Sequence, residues 1–203
     1  MSPRARTAGA ITAALVLVLG VIGVQLANGG GKFEPLRPAD PCAPRAVTSQ
    51  SDGIDGLTER LVLLGIDGAA CRLHLSREAF TLELAQSAAP TDAQINALRG
   101  GLRSAVRRML ADGSLPPASD LVDEALDSAD LNGFLKAAIR ALPDSVINAA
   151  LKTDDVLVRT IDKLDLRAVL ADLDDPHDLN AQVAAAVTQA VKDSLAARLR
   201  SLV

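Results

Sequence analysis

Residues 91–111 read Thr91-Asp92-Ala93-Gln94-Ile95-Asn96-Ala97-Leu98-Arg99-Gly100-Gly101-Leu102-Arg103-Ser104-Ala105-Val106-Arg107-Arg108-Met109-Leu110-Ala111. Thr91 with Gln94 three residues on is a capping box, in which each side chain meets the other residue's backbone N–H at a helix start. Ile95, Leu98, Leu102, Ala105 and Met109 then recur at three- and four-residue steps, the seam of an amphipathic helix. Gly100-Gly101 interrupts it. Each glycine costs roughly 1 kcal/mol against alanine in a helix interior, so the pair predicts a kink or a close contact with another helix. Asp112-Gly113 and Pro116-Pro117 close the segment.

The same signals extend in both directions. Upstream, Leu57, Leu61 and Leu64 mark one helical face ending at Gly65, and a short helix follows over about 67–74. Ser76 is placed as the N-cap of a helix carrying Phe80 and Leu84. Downstream, helices are predicted over about 119–127, 129–141, 143–152, 154–163 and 165–173, with Pro143 in a first turn and Thr153 as a cap. Leu131, Phe134, Leu135, Ala138 and Leu142 share a face. The last and longest helix, about 179–201, takes Asp178 as its cap. It carries Val183, Val187, Val191, Leu195 and Leu199 at four-residue steps, with Ala186 and Ala190 beside them. No stretch alternates with the period of a strand, so the expected class is all-α.

Composition limits function. The chain has 203 residues, is 49% hydrophobic and has three Phe with no Trp or Tyr, which excludes an aromatic platform for sugars or bases. Residues 113–203 hold fifteen acids against nine bases, the opposite of a phosphate-binding surface, so nucleic acid is not expected as the main partner. The stretch 8–27 is twenty residues without a charge, preceded by Arg4 and Arg6. At 1.5 Å per residue it spans roughly 30 Å as a helix, the thickness of a bilayer core. It reads as a signal anchor over 1–27 that crosses the lipid bilayer, or alternatively as a signal peptide whose removal would leave a secreted domain.

Residues 28–53 form a linker: Asn28-Gly29-Gly30-Gly31 is a hinge, and Pro35, Pro38, Pro41 and Pro44 repeat at the three-residue turn of a polyproline spacer. Residues 54–203 make up the helical domain. The two cysteines, Cys42 in the linker and Cys71 in a predicted helix, form an even count behind an export signal and are expected to pair. Such a bridge would pin the tether to the first helices.

The segment Ala69-Ala70-Cys71-Arg72-Leu73-His74-Leu75-Ser76-Arg77 through Phe80 resembles a helix-turn-helix, although Glu78 and Glu83 on its second helix repel phosphate. Arg99, Arg103 and Arg107 fall at i, i+4 and i+8, a candidate stripe for an anionic ligand or for acids of neighbouring helices. Asp172, Asp174, Asp175, His177 and Asp178 cluster without calcium-loop spacing and read as helix stop and cap, not as a metal site. Asp127-Ser128-Ala129-Asp130-Leu131 returns as Asp162-Lys163-Leu164-Asp165-Leu166, a pattern of short capped helices. No G-x-S-x-G, H-E-x-x-H, P-loop or dinucleotide fingerprint occurs, so no enzyme, metal or cofactor is expected.

The layout of apolar anchor, Pro-rich tether with one Cys, and a second Cys in Arg60-Leu61-Val62-Leu63-Leu64-Gly65-Ile66-Asp67-Gly68-Ala69-Ala70-Cys71-Arg72-Leu73 resembles poorly characterised single-pass membrane proteins of actinobacterial type, specifically over about 41–80. The resemblance implies an extracytoplasmic helical domain and brings no activity with it. The reading is therefore a cell-membrane protein whose C-terminal domain lies outside the cytoplasm. It would serve a non-catalytic, protein-binding or envelope-associated role with an envelope protein partner. The alternatives are an envelope polymer or lipid-binding module and a helix-turn-helix regulator.

Overall fold

A computed structural model describes residues 18–28, 38–43, 45, 51–87, 89–128, 132–171 and 176–201. Every regular element among them is helical. A first helix, α1, covers 18–27. It is followed by α2 (Gly53–Leu73), α3 (Arg77–Gln86), α4 (Asp92–Ala111), α5 (Ala118–Ser128) and α6 (Gly133–Arg140). Then come α7 (Asp144–Ala150), α8 (Thr153–Lys163), α9 (Leu166–Ala171) and the long C-terminal α10 (Pro176–Ser201).

The chain divides into two units, Met1–Arg37 and Pro38–Val203. In the first, α1 exposes Val18, Leu19, Ile22 and Leu26. No helix among the described residues is long and apolar enough to cross a membrane. The span expected over 8–27 thus has no support as a complete crossing: its first ten residues lie outside those described, and α1 alone would reach only about 15 Å.

The second unit is organised by α2 crossing α4. Its core joins Leu57, Leu61, Leu64, Ala69 and Ala70 of α2 to Ala97, Leu98, Leu102, Ala105, Val106 and Met109 of α4, with Phe80, Ile161 and Leu166 closing the edges. The capping box at Thr91 is formed: Thr91 Oγ1 accepts from the Gln94 N–H at 3.2 Å, and Gln94 Oε1 accepts from the Thr91 N–H at 2.9 Å. Gly100-Gly101 marks a close contact with α2. A Cβ on Gly101 would collide with the Gly65 carbonyl oxygen and lie 2.6 Å from the Ala69 backbone nitrogen, and one on Gly68 would lie 3.0 Å from the Gly101 Cα.

This crossing also explains why Gly65 does not end a helix as expected. The segments 57–64 and 67–74 are one continuous α2, because Gly65 and Gly68 serve the approach of α4 instead of a C-cap. The true stop is His74, in the left-handed conformation at φ 56°, and the Leu75 N–H returns to the Ala70 carbonyl at 3.0 Å. Ser76 caps α3 as expected, accepting from the Ala79 N–H at 3.1 Å.

In the C-terminal half, Asp165 caps α9 by accepting from the Arg167 and Ala168 N–H groups at 3.0 and 3.1 Å. Three local expectations are corrected. Thr153 is the first residue of α8, and its hydroxyl donates to the Pro116 carbonyl at 2.8 Å. Asp178 lies inside the first turn of α10, which starts at Pro176. The third concerns the buried stripe of α10. It is Ala186, Ala190 and Ser194, while Val187 and Leu195 are each 37% exposed. Small residues win this face because α10 packs on α8 through a polar contact: the Ser194 hydroxyl donates to Asp155 Oδ2 at 2.6 Å, and Lys163 Nζ meets Asp193 at 2.7 Å. Phe134, on the shared apolar face expected for α6, is 86% exposed.

Candidate functional site

Two features gather the chemistry-bearing residues of the second unit. The first is a clasp between tether and α2. Asp67 and Cys71 are one helical turn apart and so share a face of α2. Cys71 pairs with Cys42, the Cα atoms 4.9 Å apart. Four residues back along α2, Asp67 is 5% exposed and accepts three hydrogen bonds. Arg77 at the start of α3 gives two of them, Nε to Oδ1 at 2.6 Å and Nη2 to Oδ2 at 2.8 Å, and Arg45 of the tether gives the third, Nη2 to Oδ1 at 2.8 Å. The tether therefore runs antiparallel to α2, held once by a covalent bond and once by an ion pair. Hydrogen bonding to Asp67 holds the Arg77 guanidinium above its ordinary value.

The tether itself departs from a continuous polyproline helix. The Ala43 N–H returns to the Asp40 carbonyl at 3.2 Å and the Cys42 N–H donates to Asp40 Oδ1 at 2.8 Å, closing a turn over Asp40-Pro41-Cys42-Ala43. Asp at the first and Pro at the second position are the residues that favour such a turn. It presents Cys42 to α2; Pro35 and Pro44 lie outside the described residues.

The second feature is the arginine face of α4. Arg99 and Arg103 are directed toward α8. Arg99 donates to the carbonyls of Ile161 at 2.5 Å, Asp162 at 3.0 Å and Leu164 at 3.2 Å, satisfying the C-terminal end of α8. Arg103 Nε donates to Asp162 Oδ1 at 2.6 Å. Arg107 is exposed and donates to Ser104 Oγ at 2.9 Å. The stripe thus splits into two cations that hold α8 and one that faces outward. Arg72 of α2, not among the expected site residues, joins Arg107 at Ser104 Oγ from 3.1 Å.

Asp67, Arg45 and Arg72 were not picked out as site residues. For Asp67 a signal was present: one carboxylate inside Leu63-Leu64-Gly65-Ile66-Asp67-Gly68-Ala69-Ala70 is buried with the rest of that run and must find a cation. Which arginines answer it depends on chain segments 22 and 10 residues away. Of the acidic cluster, Asp172, Asp174 and Asp175 lie outside the described residues. Among the described residues no group of three His, Cys, Asp or Glu is placed to hold a metal ion. Comparison with known proteins finds no family model, curated protein or solved structure that matches the chain.

Proposed function

We propose that the chain is a membrane-tethered helical domain displayed outside the cytoplasm, acting without catalysis by binding another protein of the cell envelope. The observation that carries this reading is the Cys42–Cys71 pair. Disulfides persist in oxidising compartments, and this one ties the segment next to the apolar run directly to the folded body. The apolar run itself supports attachment to the bilayer, or secretion if it is removed. Phe134 supports the interaction role: a chain with only three aromatic residues places one of them 86% exposed on α6. The helix-turn-helix reading loses its cation, because Arg77 is held by Asp67.

The test is topology. An epitope at the C-terminus of the full chain should fractionate with membranes and be lost when intact protoplasts are treated with protease. Release into the medium would show a secreted form, and a protected epitope would place the domain in the cytoplasm and overturn the reading. In the same cells, Phe134→Ala should leave stability within about 0.5 kcal/mol of wild type, as exposed positions do. It should also lower the yield of crosslinked protein complexes.

A further inference from the structure

We propose that Arg72, Arg107 and the Ser104 hydroxyl form a binding site for a phosphate-type oxyanion, either a soluble phosphomonoester or the headgroup of a phospholipid. Guanidiniums from two different helices converge on one oxygen atom: Arg72 Nη2 lies 3.1 Å and Arg107 Nη2 lies 2.9 Å from Ser104 Oγ. The two cationic ends are thus within about 6 Å of each other, a separation at which like charges repel. Neither is paired with a carboxylate among the described residues, whereas Arg45, Arg77, Arg103, Arg140, Arg159 and Arg167 all are. A neutral hydroxyl holds both in place without neutralising either.

The geometry is fixed from below. Ser104 Oγ donates its own proton to the Gly100 carbonyl at 2.9 Å, which leaves its lone pairs for the two arginines. Gly100 makes room for Arg72, since a Cβ there would lie 3.0 Å from the guanidinium carbon. Each guanidinium has five N–H donors and gives one to Ser104, so several remain on each for an incoming anion. Planar forks arranged in this way match the oxygens of phosphate. The site does not depend on where the domain is displayed.

The full chain, arginine-labelled with nitrogen-15 in a maltoside detergent and phosphate-free buffer of low ionic strength, should be titrated with inorganic phosphate. Saturable shifts of the Arg72 and Arg107 Nε–H resonances are expected. Arg72→Gln or Arg107→Gln should weaken the response at least tenfold, and Gly100→Ala, which displaces Arg72, several-fold. Arg108→Gln should bind as wild type. A non-saturating response, or equal loss in Arg108→Gln, would overturn the site. A parallel measurement in phosphatidylcholine nanodiscs with and without phosphatidic acid separates the sources. A shift on adding phosphatidic acid alone identifies the headgroup. A shift only on adding a soluble phosphate identifies the phosphomonoester. Absence of both refutes the proposal.

Discussion

Asp67 is the most consequential single residue of the clasp. Its side chain is 7% exposed, and the two arginines it serves are 23% and 27% exposed. Removing one partner of a buried pair leaves the others desolvated without a counter-charge, which costs more than the pair contributes when intact. Asp67→Asn keeps the shape and removes the charge, and should lower unfolding stability by about 2–4 kcal/mol, read as a shift in denaturant midpoint at constant slope. Arg45→Ala should cost less, about 1 kcal/mol, because the bidentate Arg77 remains. Burial of Asp67 was legible from its apolar neighbours. The identity of its partners was not, because nothing local distinguishes Arg45 and Arg77 from the other arginines.

Among the helices, the α2–α4 crossing and the α8–α10 pairing rest on different physics. At the first, backbone approaches backbone. Gly101→Ala gains about 1 kcal/mol of helix preference but drives a methyl into α2, and should be destabilising by about 2–4 kcal/mol in thermal or chemical unfolding. Gly133→Ala, with nothing within 4 Å of the added carbon, should be neutral or stabilising by up to about 0.5 kcal/mol. At the second crossing, carboxylates hold the helices. Burial pushes the Asp155 carboxyl up, but hydrogen bonds from Arg159 and Ser194 and the charges of Arg159 and Arg198 outweigh it, so it rests below its ordinary value. A hydrogen bond from Lys163 is the main cause that lowers Asp193. Both carboxyls bind protons less readily folded than unfolded. Their stabilisation is therefore complete above the unfolded carboxylate value near about 4 and is lost as pH falls through the lower folded values. Hydrogen exchange of α10 should accelerate below about pH 4 before that of the α2–α4 core, and Asp155→Asn should flatten this dependence.

For the second unit as a whole, the disulfide joins positions 29 apart in the sequence and restricts the unfolded chain. Replacing Cys42 and Cys71 with serine should cost about 3–4 kcal/mol in the chain-entropy account, measured as a lower unfolding midpoint that reducing agent reproduces in the wild type. The all-helical class, the capping box at Thr91, the Ser76 cap and the cysteine pairing could all be read from residue order. Caps act within a few residues, amphipathic seams repeat within a turn or two, and two cysteines allow a single intramolecular pairing. Other features arise only when distant segments meet. Gly65 lies inside a helix and not at its end because α4 lies against it. α10 buries Ala186, Ala190 and Ser194 in preference to its valines because Asp155 stands opposite. Arg99 and Arg103 turn toward α8, while Arg107 meets Arg72 from another helix. In each case a residue's role is set by the polar group or backbone that faces it, and that neighbour is chosen by long-range packing.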